Sequence, residues 1–354
     1  MGGTLTFEPT KSQFGVLWKY LQMPNVTDVD YNGREMWITD LKRGRYRAKE
    51  QLSEEFVRTF THNISNCVNK QFNHANKILE ADTKELRISI IHDSVTASGI
   101  SICIRKSPCI VRNTIERMIK EAYVSEEVLQ LLINCVHAGM NFVFGGEPGA
   151  GKTECAKFFM QFIPKEERVI TIEDSYEIHY GDINPGADAV ELRVGAGFTY
   201  TDAIKASLRQ NPKWLMLSEA RSVEVMSLLE QWSTGVSGFT TIHLDDVRKL
   251  PDRIQNMMSN SKDAERMENR IYQYVDVGIL IRCVRLSDGE LRRYMDQLCF
   301  YSREGRENRI YMLLEDGEVT SHELPPAIKK RLARAGIQEP FVCQEWEDYQ
   351  KEGK

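Results

Sequence analysis

The sequence lacks any run of 18 consecutive apolar residues, so no segment reads as a membrane-spanning helix. Its start, Met1-Gly2-Gly3-Thr4-Leu5, lacks a basic stretch leading into an apolar core, and no secretory signal is expected there. Gly2 followed by Thr6 touches the short N-myristoylation pattern and nothing more. Positive charge is not in excess. The 46 Lys and Arg against 51 Asp and Glu leave a net charge of −5, which argues against a chain-wide nucleic-acid footprint. The eight cysteines are scattered and none forms a C-x-x-C pair, so no zinc site is expected. They read as reduced, mostly buried thiols of an intracellular protein. Internal repeats and low-complexity tracts are also missing. What remains is ordinary globular composition, 42% hydrophobic and 27% charged. A length of 354 residues suggests two domains.

The first of these, residues 1–105, reads as a small α+β unit. A helix is expected over 12–22, with Phe14, Leu17, Trp18 and Leu21 on one side. Asn32-Gly33 between two short β-type runs predicts a tight hairpin with positive φ at both positions. Residues 49–80 read as mostly helical, followed by strands at 86–91 and 99–104. Residues 106–124, with Lys106-Ser107-Pro108, read as a linker. A second domain is expected over 125–325, opened by a helix with Ser125 as cap and Glu126 and Glu127 in its first turn. From there short apolar strands at 141–144, 169–172, 214–217 and 239–242 alternate with helical patterns. That alternation predicts an α/β fold with a parallel sheet and crossover helices. Stretches 276–284, 292–300 and 308–314 read as antiparallel strands extending the sheet. Residues 326–354 read as one basic helix and a frayed polar tail.

The strongest chemical signal is Gly146-Glu147-Pro148-Gly149-Ala150-Gly151-Lys152-Thr153, which fits G-x-x-x-x-G-K-[ST]. Glycines let backbone N–H groups curl around phosphate oxygens that a side chain would obstruct. Lys152 can reach β- and γ-phosphates, and the Thr153 hydroxyl can hold Mg²⁺. A strand precedes the loop and a helical pattern follows, so the positive helix end faces the phosphates. Three further groups stand where parallel strands end. Glu173, in Val169-Ile170-Thr171-Ile172-Glu173-Asp174, can hold Mg²⁺ through water or orient the attacking water. Glu219, closing Trp214-Leu215-Met216-Leu217-Ser218-Glu219, can polarise that water or hold the metal in the same indirect way. His243, closing Gly238-Phe239-Thr240-Thr241-Ile242-His243, can sense the γ-phosphate or pair with Glu219. Arg105, Arg209, Arg221, Arg253, Arg292 and Arg293 all qualify for the positive charge such chemistry needs, and the sequence does not choose among them.

In order and spacing these elements resemble the traffic ATPases of type II and type IV secretion, conjugation and type IV or Tad-type pilus machines. The resemblance covers roughly residues 24–300. The family's Walker A loop, Asp box, Walker B segment and His box are similar to 146–153, Thr171–Asp174, Ser218-Glu219-Ala220-Arg221 and Thr241-Ile242-His243. Leu208-Arg209-Gln210-Asn211-Pro212 resembles its Leu-Arg-x-x-Pro-Asp segment, and Arg253-Ile254 its Arg-Leu. Ser218 stands in place of the usual Gly, Lys213 in place of Asp, and Glu147-Pro148 in place of Thr-Gly. A tetracysteine metal insertion is absent, which favours the type IV secretion and Tad-like branch. The resemblance implies a RecA-like ATPase domain behind a smaller N-terminal domain, with ATP and Mg²⁺ as cofactors. Arg105, at a strand end of the N-terminal domain, would reach nucleotide phosphates. It further implies a homohexameric ring in the cytoplasm, attached peripherally to inner-membrane platform proteins; the net charge of −5 and the lack of a basic–aromatic stripe argue separately against a direct nucleic-acid partner. The residues alone also allow a RecA-like nucleic-acid motor or a nucleotide-responsive scaffold that hydrolyses little.

Overall fold

A computed structural model describes residues 7–195, 197–222, 224–257 and 264–354. The Gly2–Thr6 pattern lies outside the described residues. The chain divides into two compact units, one built from Met1–Cys109 with Val284–Arg292, the other from Ile110–Cys283 with Arg293–Lys354.

The first unit is a six-stranded antiparallel sheet. Its strands are β1 (Val26–Tyr31), β2 (Met36–Asp40), β3 (Gly44–Arg47), β4 (Ile78–Asp82), β5 (Leu86–Ile91) and β6 (Ser101–Lys106), in the order β3-β2-β1-β6-β5-β4. Alternation along β5 puts Leu86, Ile88 and Ile90 into the core. Helix Glu54–Cys67 adds Val57, Phe60 and Ile64 to that core. Ser53 caps this helix by accepting from Phe56 N at 3.1 Å. The helical reading of 49–80 therefore ran past both ends, since β4 already begins at Ile78. The helix expected over 12–22 is broken by Gly15 at φ +48° into Lys11–Phe14 and Val16–Leu21. The Asn32-Gly33 turn does join β1 to β2, but only Gly33 takes positive φ, at +90°. The loop spans four residues. Asn32 Oδ1 accepts from Arg34 N and Glu35 N, so an Asx turn takes the place of the two-residue type.

The second unit carries a nine-stranded sheet. Its strands are β7 (Phe142–Gly146), β8 (Val169–Glu173), β9 (Ala189–Arg193), β10 (Trp214–Leu217), β11 (Phe239–Ile242), β12 (Val277–Arg285), β13 (Leu291–Glu304), β14 (Glu307–Glu315) and β15 (Glu318–Val319). The order is β15-β14-β13-β12-β7-β11-β10-β8-β9. Strand β12 pairs in parallel with β7, against the expectation that the whole tail is antiparallel; antiparallel pairing is found for β13–β14 and β14–β15. The crossover explains it. Helices between β11 and β12 return the chain to the edge where β7 begins. The central strands are buried on both faces, which is why they read as short continuous apolar runs.

The C-terminal stretch is not frayed. Helix Pro326–Arg334 is followed by a second helix, Trp346–Lys351. Leu332, Cys343 and Trp346 are buried in the same core as Ile115 and Met118, and Ile115 N donates to Lys354 O at 2.7 Å. Arg331 donates from Nη1 to Asp276 at 2.7 Å, and Asp276 also accepts from Asn141 N at 2.8 Å, just before β7.

Candidate nucleotide site

The register of the parallel strands explains why distant residues meet. Leu217 of β10 pairs with Ile172 of β8 and Thr240 of β11, while Ile242 of β11 pairs with Gly145 of β7. The next residues along each strand emerge at one sheet edge, the edge where open α/β sheets take ligands. Those residues are Gly146, Glu173, Ser218-Glu219 and His243.

Gly146 sits at φ +148°, and a Cβ there would lie 2.6 Å from Ile281 O. The turn that starts the loop is therefore closed to any residue with a side chain. Gly149 and Gly151 follow at φ +77° and +99°, and the helix Lys152–Met160 begins directly after. No side chain caps that helix, so its first N–H groups are left to face the loop. An aromatic floor fixes the loop from below. Phe142, Phe144, Phe159, Phe239 and Trp214 pack together, with Phe142 and Phe239 edge to face at 4.8 Å.

Lys152 Nζ donates to Gly146 O and Glu147 O, both at 3.0 Å, and lies 3.2 Å from His243 Nδ1. Burial pushes its pKa down, while Glu219 and Glu177 oppose that shift. On its other side His243 places Nε2 2.9 Å from Glu219 Oε1. Glu219 Oε2 accepts from Arg221 Nη2 at 2.8 Å, and Arg221 Nη1 reaches Asp174 Oδ2 at 2.9 Å. Its hydrogen bond to Glu219 raises the Arg221 pKa further, so the guanidinium is permanently charged. Lys152, His243, Glu219, Arg221 and Asp174 thus form one continuous chain of contacts. A cleft of about 440 Å³ opens beside it, lined by Gly146, Glu147, Pro148, His243 and Arg253 among others.

Two candidates are placed differently. Glu173 is fully buried. Its Oε2 accepts from Glu177 N and Ile178 N at 2.9 and 3.0 Å, and its Oε1 has no hydrogen-bond partner among the described residues. Burial pushes its pKa up to about 8. Arg105 lies in the first unit, its Nε 2.9 Å from Asp28 Oδ1. Thr153 is the second residue of the helix after the loop and is half-buried; Ala150 is buried. The residues present fit a bound Mg-nucleotide. The backbone cradle admits no Cβ at its first turn, the helix N-terminus is uncapped by side chains, the Lys152 amine is linked through His243 to the Glu219 carboxylate beside it, and Thr153 stands in the helix's first turn.

Against known proteins, the model of the type II/IV secretion system protein family matches residues 67–314. The chain belongs to this family, the traffic ATPases. It is 27% identical over 311 residues to an uncharacterised protein of Bacillus anthracis, covering 84% of this chain and 70% of that one. It is 25% identical over 182 residues to the type IV secretion system protein VirB11 of Bartonella quintana, covering 49% of this chain and 50% of VirB11. Over several curated relatives the matched part spans from 35% to 70% of their length. The fold is that of the ATPase DotB of Legionella pneumophila, at TM-score 0.62 and 15% identity, over 98% of this chain and 89% of that one. Traffic ATPases of this fold carry an N-terminal domain and a RecA-like ATPase domain.

Within this traffic ATPase, sequence reasoning passed over Glu177, which acts on Lys152 electrostatically. Only the loop that returns from β8 brings it there, and no strand-end pattern marks it. Arg221 and Arg293 were two arginines among six. The fold brings both to the site together with Arg253 of the cleft, Arg221 bound to Glu219 and Arg293 3.4 Å from Gly149 O.

Proposed function

We propose that this traffic ATPase binds Mg-ATP at the 146–153 loop and hydrolyses it. In this reading the work powers a type IV secretion, conjugation or Tad-type pilus machine. The observation that carries the proposal is the contact chain from Lys152 through His243 to Glu219 at the loop's edge. When bound, Mg-ATP supplies the scissile phosphoanhydride and a metal that neutralises charge on it. Lys152 would hold the β- and γ-phosphates and Thr153 the metal. Glu219 would accept a proton from the attacking water. His243, bridging Lys152 and Glu219, would keep the base oriented and register the γ-phosphate. Glu173, protonated near neutral pH, would act by shaping the loop after β8, with its free Oε1 as the only route to the metal. Arg105 and Arg293 would add positive charge at the phosphates. A homohexameric ring, peripheral to the cytoplasmic membrane through platform proteins, completes the reading. It is supported by the family and by the fact that no helix among the described residues is long and apolar enough to cross a membrane.

The test is steady-state ATP hydrolysis against protein concentration, wild type beside Glu219→Gln. Specific activity that rises with concentration and falls at least ~100-fold in the variant is expected. Equal turnover by both proteins would remove Glu219 from the mechanism. Activity independent of concentration, down to the dissociated chain, would remove the ring.

A further inference from the structure

The fold brings His137 together with Cys343 and Glu345, metal-binding side chains from two segments far apart in the sequence. His137 ends the helix Glu126–His137, while Cys343 and Glu345 precede the helix Trp346–Lys351. One ligand atom from each, an imidazole nitrogen, Sγ and a carboxylate oxygen, all lie within 4.8 Å of one another. Glu345 Oε2 is 3.7 Å from Cys343 Sγ and 4.0 Å from His137 Nδ1.

We propose that His137, Cys343 and Glu345 form a zinc site that clamps the C-terminal segment to the helix leading into β7. The donor set of imidazole, thiolate and carboxylate is that of Zn²⁺. Bond lengths of roughly 2.0–2.3 Å to a tetrahedral ion would bring the three atoms to about 3.2–3.6 Å from one another. The exposed Glu345 side chain has the freedom to shorten its own separations of 3.7 and 4.0 Å to that range.

The surroundings are built as such a site requires. Tyr349 Oη is 3.0 Å from His137 Nε2, which engages the far ring nitrogen and leaves Nδ1 for the metal. The backbone carrying Cys343 is pinned from the helix. Asn134 Nδ2 donates to Pro340 O and Val342 O, each at 2.9 Å, and Cys343 N donates to Gln130 Oε1 at 2.9 Å. His137 and Glu345 line a cavity of about 700 Å³, room for water as the fourth ligand. Lys354 reaches the same cavity, with Nζ 4.4 Å from the Tyr349 ring centroid. Binding would release one proton to solvent, from the Cys343 thiol as its S–H bond is replaced by S–Zn. The absence of C-x-x-C pairs, which argued against zinc, concerned sites whose ligands are close in sequence.

The test is titration of the full chain, reduced and stripped with chelator, with cobalt chloride and then zinc sulfate. One equivalent of Co²⁺ should give a thiolate-to-cobalt charge-transfer band that Zn²⁺ displaces, and Zn²⁺ should raise the melting temperature. Cys343→Ser should abolish the band. Glu345→Gln, on an exposed side chain, should weaken binding at least tenfold while leaving the metal-free melting temperature unchanged. A wild-type chain without a thiolate band overturns the proposal. So does a band that survives in Cys343→Ser, which would place the metal on other cysteines. If Cys343→Ser does not fold, undiminished affinity in Glu345→Gln overturns it alone.

Discussion

Glu173→Gln separates a buried neutral acid from a working carboxylate. In the folded chain the Glu173 pKa stands at about 8 against an ordinary 4.5, because burial disfavours its charge. Between those values the unfolded chain has lost the proton and the folded chain keeps it. The folded state then binds more protons, and stability falls as pH rises. The gap of about 3.5 corresponds to ~5 kcal/mol over the whole window, at about 1.4 kcal/mol per tenfold change in proton concentration. From pH 6 to pH 8 the loss is ~2 kcal/mol, since titration of the folded state has begun by the upper end. Glutamine keeps the shape without the titration. Its carbonyl oxygen can accept from Glu177 N and Ile178 N, as Glu173 Oε2 does at 2.9 and 3.0 Å. Chemical denaturation of both proteins at the two pH values is the assay. The variant should gain ~2 kcal/mol on wild type between pH 6 and pH 8, all other groups being shared. Parallel pH dependences would refute the reasoning and show Glu173 ionised in the folded protein at neutral pH.

Lys152→Ala should weaken nucleotide binding, read by fluorescent-nucleotide titration, and abolish turnover, because the amine beside the loop is lost. His243→Ala should lower turnover ~10-fold or more with affinity nearly unchanged, since the residue touches Glu219 and Lys152; an unaltered rate would leave it a structural role only. Gly238→Ala should destabilise the second unit by roughly 2–4 kcal/mol in thermal unfolding. A Cβ there would stand 2.1 Å from Leu215 O, where only backbone movement gives relief.

The parts of the site legible in the sequence are those carried by short, contiguous signals. The loop from Gly146 to Thr153 couples spacing to a strand before and a helix after, so pattern and geometry coincide. The apolar runs ending at Glu173, Glu219 and His243 are buried on both faces, and burial is what hydrophobic runs report. Strand β9 escaped notice because Ala189-Val190-Glu191-Leu192-Arg193 lies at the sheet edge and carries charge. The parallel pairing of β12 escaped because periodicity reports which face is buried, not which neighbour is bonded. Side-chain linkages were beyond reach for another reason. Arg221 meets Asp174 across 47 positions and His137 meets Glu345 across more than 200, distances at which only the folded backbone supplies register.

The inclusion of Val284–Arg292 in the first unit sets an order of events during synthesis. Leu291 N donates to Lys42 O at 2.7 Å, so the β3 side of that unit waits for a segment made after most of the second unit. The N-terminal unit leaves the ribosome first and is completed late. Its last piece is the turn of the β12–β13 hairpin, and both strands of that hairpin run in the nine-stranded sheet. A chain stopped anywhere before residue 284 would carry the six strands of the first unit without that piece.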